Sequence, residues 1–151
     1  MKFYVLTSES LHAISTAVTA KKWAVSKRFA DTPSLVSRAE KLPIGVTGLF
    51  YCKLTKSFTV PFVVRSQPNR NSERSDIWDA NCPEIGGYLP FQIFPNGTIN
   101  RQFHKDRVSV LPRFPNGRQW YRVLPVLPAR VFTSIEIADE TWNAIMKELA
   151  D

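Results

Sequence analysis

Cysteine and histidine are nearly missing from this chain, with two of each in 151 residues, and that scarcity removes whole classes of function. Cys52 and Cys82 stand alone, neither within a CxxC pair, and only His12 and His104 could join them. Those spacings fit no common zinc pattern. Two reduced thiols in a cytosolic protein are expected rather than one disulfide. Long apolar runs are missing too: none approaches the roughly 20 residues that cross a bilayer. The opening MKFYVLTSES alternates apolar and polar residues instead of building a signal-peptide core. The expectation is a soluble, cytoplasmic protein without a membrane partner.

Glycine is sparse, six in all, and no stretch reads GxxxxGK(S/T), GxGxxG or GxSxG; HExxH is missing as well. Acid–base chemistry has little to work with. His104 lies in the charged stretch Arg101–Arg107 (RQFHKDR), where no local spacing supplies a partner, so an exposed side chain is expected. Asp76 and Asp79 flank Trp78 with no nucleophile motif beside them, which favours a solvated or hydrogen-bonding role. The chain is expected not to be an enzyme and to need neither metal nor cofactor. A small enzyme using His104 and a carboxylate is the outlying alternative.

Positive charge, aromatics and proline are present. Twenty Lys and Arg face 13 Asp and Glu, for a net charge of +7 and a pI near 9.7. Such a balance raises the expectation of a polyanionic partner, because neutralised phosphates release condensed counterions. With 44% hydrophobic residues and no repeat, residues 1–151 read as one domain.

Along the chain, Lys2–Thr7 reads as a strand. Ser8 then offers an N-cap, with Glu9 at the positive end of a helix over about residues 9–20. Leu11, Ile14 and Val18 repeat at helical spacing, and Lys21 and Lys22 suit the C-terminus. Residues 30–45 read as a loop or short helix broken by Pro33 and Pro43. Gly48–Leu54 and Phe58–Arg65 read as strands joined around Thr55–Ser57, and Pro61 marks an edge or a bulge. Ser66–Asp76 reads as an exposed loop, Tyr88–Phe94 as a strand, and the Pro-Asn-Gly triplets at 95–97 and 115–117 as turns. Val131–Ile137 is a last strand. Asp139–Leu149 is a last helix with Trp142, Ile145, Met146 and Leu149 on its apolar face. This order predicts an α+β domain whose strands curl into a barrel.

Four segments, KFYVLTSES (Lys2–Ser10), KKWAVSKRF (Lys21–Phe29), GLFYCKLTKSFTVPFVVRS (Gly48–Ser66) and SDIWDANCPEIGGYLPFQI (Ser75–Ile93), together resemble EVE and YTH domains of the PUA-like superfamily. The closing helix from Thr141 to Leu149 resembles that of EVE domains. The resemblance implies a twisted β-barrel flanked by helices that reads a methylated or otherwise modified base, flipped into an aromatic cage. It places Trp23 and Trp78 at the two cage tryptophans, and Ile85 at the apolar residue that closes the cage. Ser8, Glu9 and Ser26 become candidates for contacts to the base edge. Glu9 stands where the YTH pattern commonly has asparagine, and a carboxylate only accepts. Glu9 either takes a hydrogen bond from an exocyclic amino group or is a helix-start residue facing water.

Lys21, Lys22, Lys27, Arg28, Arg70 and Arg74 are the candidate phosphate contacts, which position a strand rather than read it. Arg65 belongs either with Arg70 and Arg74 in a second basic patch or in a soluble loop, and Arg113–Arg122 (RFPNGRQWYR) interleaves arginines with aromatics. Charged residues flank Trp23 and Trp78, whereas core tryptophans usually sit in apolar runs. Trp142 is expected in the core, and Trp120 either in the core or as a stacking platform. Domains of this resemblance occur at the N-terminus of McrBC-type modification-dependent restriction proteins. A chain ending just after its closing helix looks like such a targeting module. The expected partner is therefore DNA carrying a modified base, ahead of RNA, with further domains of a larger restriction protein as a second partner.

Overall fold

The computed structural model describes residues 1–25, 33–68, 88–110 and 134–150. Its elements run β1 (Lys2–Ser8), α1 (Leu11–Ala20), β2 (Lys22–Val25), α2 (Pro33–Glu40), β3 (Thr47–Cys52), β4 (Ser57–Val64), β5 (Tyr88–Pro95), β6 (Gln102–His104), a 3₁₀ helix (Lys105–Val110), β7 (Ser134–Glu136) and α3 (Asp139–Leu149). The α+β expectation holds. The strands form one seven-stranded sheet in the order β2-β5-β4-β3-β1-β7, with β6 on β4, and its end strands β2 and β7 do not pair with each other. The described strands thus form an open sheet where a barrel was expected.

β1 and β3 pair in parallel, Tyr4 opposite Gly48 and Ser8 opposite Cys52, and among the described residues every other pairing is antiparallel. Alternation along these central strands builds two cores, one on each face. Leu6, Phe50, Cys52, Val60, Phe62 and Val64 face α1 and α2. Phe3, Val5, Leu49, Tyr51 and Phe58 pack with Trp142, Ile145 and Leu149 of α3. Phe3 and Trp142 stack tilted at 4.8 Å between centroids. Cys52 is a buried free thiol; Cys82 lies outside the described residues.

Helix α1 begins two residues later than expected. Ser10, in extended conformation, is its N-cap, accepting from the Ala13 N–H. Ser8 ends β1 instead, its hydroxyl accepting from the Ser10 N–H at 3.1 Å. Glu9 precedes the cap, exposed, and leaves no acidic residue in the first turn. The buried stripe of α1 is Ala13, Ile14 and Ala17, with Leu11 and Val18 only partly covered. Pro33 opens α2 rather than breaking it, because a first-turn proline gives up an N–H that has no helical partner.

Pro61 does mark a bulge. Leu49 pairs with Pro61 and Phe50 with Thr59, leaving Val60 as the extra residue at φ 26°. The bulge divides β4, whose Ser57–Thr59 pairs with β6 and whose Phe62–Val64 pairs with β5. The α3 bounds match the expectation, with Met146 only partly buried. The observed β7 is shorter than Val131–Ile137, whose first three residues, like the triplet at 115–117 and Trp120, lie outside the described residues.

Candidate nucleic-acid interface

Trp23 is the cage candidate that the described residues include. It sits on β2 opposite Phe91 of β5, with a register shift between Trp23 and Val25. Its indole meets the Phe50 ring edge-on at 5.0 Å, and only 5% of the residue is exposed. The charged flanks therefore do not keep this tryptophan out of the core. Neighbours on a strand point to opposite faces, so Lys22 is solvent-exposed while Trp23 is buried; Ala24, at the register shift, is buried as well. Trp78, Ile85, Ser26, Lys27, Arg28, Arg70, Arg74 and the Arg113–Arg122 stretch lie outside the described residues.

The base-edge and phosphate candidates are not all brought together. Ser8 is buried, and its hydroxyl both accepts from the Ser10 N–H and donates to the Ser10 carbonyl, each at 3.1 Å. Glu9 is exposed beside it. Lys21 and Lys22 lie at the other end of α1, about 15 Å away along a ten-residue helix axis. Lys21 adopts the left-handed conformation at φ 56° and caps α1 through its N–H to the Ala17 carbonyl.

That second end holds a cluster the sequence reading did not assemble. Phe94, 54% exposed, lies on the outer face of β5 with Gln92, because Phe91 and Ile93 alternate inward. The Lys21 Nζ stands 5.8 Å and the Arg65 guanidinium carbon 6.0 Å from the Phe94 ring centroid. Together with Lys22, Gln92 and Ile93 these residues line a recess of about 300 Å³. The backbones are tied to β5: Ile93 N–H donates to the Lys21 carbonyl (3.0 Å) and Arg65 N–H to the Gln92 carbonyl (2.8 Å). Arg65 is thus joined to Lys21 and Lys22. The strict in–out alternation of Phe91–Phe94 was the signal for it.

His104 ends β6, half exposed. Its Nδ1 accepts from the Asp106 N–H at 3.1 Å and lies 3.5 Å from the Asp106 carboxylate. Among the described residues no group of three or more His, Cys, Asp or Glu could hold a metal. No described helix is long and apolar enough to cross a membrane.

This is a YTH-like fold. Solved YTH domains are similar to the chain over nearly its whole length, at low sequence identity. The Toxoplasma CPSF4-YTH domain in apo form superposes with a TM-score of 0.63 at 17% identity, covering 99% of this chain and 88% of its own. The same domain in complex with a 7-mer m6A-modified RNA gives 0.60 at 15%, covering 99% and 92%. The YTH domain of Zygosaccharomyces rouxii MRB1, in complex with N6-methyladenosine RNA, gives 0.58 at 17%, covering 99% and 87%. No protein-family model and no curated protein sequence matches the chain.

Proposed function

We propose that the chain binds nucleic acid and recognises a modified base, with RNA ahead of DNA and N6-methyladenosine as the base to test first. The observation that supports this reading is the fold shared over 99% of the chain with YTH domains solved around m6A-modified RNA. The sequence reading put DNA first. The similar complexes hold RNA, which supports RNA first, and none of these structures supports a restriction system. Kinship to PUA-like domains and binding without turnover belong to the same proposal.

Trp23, Trp78 and Ile85 form the cage in this reading, and Glu9 and Ser26 meet the base edge. Stacking a base on an aromatic contributes about 1–3 kcal/mol, and burying one methyl group about 0.8 kcal/mol, roughly fourfold in affinity. Polar contacts to the edge supply the remaining discrimination, since an unpaired donor or acceptor costs more than a missing methyl. Trp23 is buried, so a base reaches its indole only once the packing over it opens.

Fluorescence anisotropy of labelled single-stranded RNAs carrying one central adenosine or N6-methyladenosine, and of the matching DNAs, tests the proposal. Wild type is expected to prefer the methylated RNA, and Trp23→Phe to lose most of that preference. Equal binding of all four oligonucleotides by the wild type overturns it.

A further inference from the structure

We propose that the outer face of the β2–β5 ribbon is a second contact for single-stranded nucleic acid. On it an unpaired base stacks against Phe94, and Lys21, Lys22 and Arg65 meet the flanking phosphates. The inference rests on the chain being a nucleic-acid binder, but not on the cage.

A single exposed apolar side chain is ordinary on a soluble domain. Phe94 is different in its surroundings. Two cations lie over its ring, 5.8 and 6.0 Å from the centroid, with exposed Lys22 on the neighbouring strand. Among the described residues no carboxylate forms an ion pair with Lys21, Lys22 or Arg65. Three cations gathered without an acidic partner among the described residues suit an anion, and phosphate is the anion that comes evenly spaced along a chain with flat apolar groups between. An aromatic ring beside such a groove is the recurring device for holding single strands without sequence preference, because every base has a π-face.

The platform is also built rather than incidental. Backbone hydrogen bonds fix Lys21 to Ile93 and Arg65 to Gln92, and the Ser66 hydroxyl accepts from the Gln92 N–H at 2.7 Å. Little backbone entropy remains to be lost on binding. The recess of about 300 Å³ sits at the lower end of the roughly 300–1,000 Å³ range of small-ligand sites, which suits one base and not a groove-filling helix. An acidic peptide matches the charge but does not repeat a flat π-face beside every negative charge, as a nucleic-acid strand does. The platform shares its strand with Trp23, Lys22 facing out where Trp23 faces in. One bound strand can therefore serve both places by passing around the edge strand β2.

The test uses the full chain and a fluorescein-labelled single-stranded RNA of about 12 nucleotides, within the range of site sizes for such grooves, with and without one N6-methyladenosine. Phe94→Ala is expected to weaken binding of both RNAs alike, by roughly five-fold to a hundred-fold. Phe94→Tyr should bind like wild type. Arg65→Gln should lower the slope of log affinity against log salt by about 0.7, the contribution of one phosphate contact on a single strand. Because Phe94 is exposed, each variant should melt with the wild type. Unchanged RNA binding by Phe94→Ala overturns the platform. So does a poly-glutamate peptide that competes as well as unlabelled RNA and binds Phe94→Ala equally. Failure of the cage looks different: the methylated and plain RNAs then bind wild type equally, while Phe94→Ala still weakens both.

Discussion

Gly48 on β3 lies directly beneath the Phe62 ring of β4, its cross-strand partner, so closely that a Cβ there would collide with Cζ and both Cε atoms. The ring takes the place a side chain would fill, and it continues into Phe50 at 4.6 Å and from Phe50 into Trp23 at 5.0 Å. Gly48 is thus the floor of an aromatic row that ends at the candidate cage residue.

Gly48→Ala should accordingly destabilise the fold by about 1–3 kcal/mol, the usual cost of overpacking a core. Thermal or urea unfolding reads the loss. Adding Phe62→Leu should recover part of it, and a double-mutant cycle should show the two changes coupled. Strict additivity would mean that the ring moves aside freely.

Ser10→Ala should cost α1 about 0.5–2 kcal/mol, because the hydroxyl that accepts from the Ala13 N–H is lost at the N-cap. The lowered midpoint should be accompanied by faster amide hydrogen exchange confined to the first turn. No loss of stability would return the cap to Ser8.

Tyr51 should contribute to the alkaline limb of stability. Burial, and then the nearby charges of Cys52 and Asp106, raise its pKa above the usual 10.0. Raising the pKa in the folded state favours the neutral phenol there. The associated stability is complete below about pH 10 and lost as pH climbs through the folded pKa, since the unfolded chain releases the proton first. Midpoints measured between about pH 8 and 11 should fall more steeply for wild type than for Tyr51→Phe. Parallel curves would assign the fall to other groups.

The sequence disclosed best those elements whose signals are local. The α3 helix, the hairpin turn after Cys52 and the bulge at Pro61 follow from apolar spacing, turn residues and proline's missing donor. Elements settled by distant partners were hidden. β6 is three residues whose pairing with Ser57–Thr59 spans over 40 positions, and nothing inside Gln102–His104 announces a strand. Ser8 and Ser10 are equally good caps by residue type, and the parallel pairing of Ser8 with Cys52 decides between them by holding Ser8 in the sheet. At the site, flanking charge misjudged the burial of Trp23, because a strand places charge and core on alternate residues. The same alternation, applied to Phe91–Phe94, would have exposed Phe94.

Trp23 should separate stability from recognition when substituted in two ways. Trp23→Ala empties a core position beside Phe50 and Phe91 and should cost about 3–5 kcal/mol, a large share of a domain's roughly 5–15 kcal/mol. Loss of binding in that variant says nothing about a cage. Trp23→Phe keeps an apolar ring in the core and loses indole area, so its melting midpoint should fall far less. The discriminating measurement is the rise in midpoint on adding N6-methyladenosine RNA, since a ligand at about 100 times its Kd stabilises the folded state by about 2.7 kcal/mol. Wild type should show that rise with the methylated RNA and a smaller one with plain RNA, and Trp23→Phe should show two equal, small rises. If Trp23→Phe keeps the full difference between the two RNAs, Trp23 is a packing residue and the methyl group is read elsewhere.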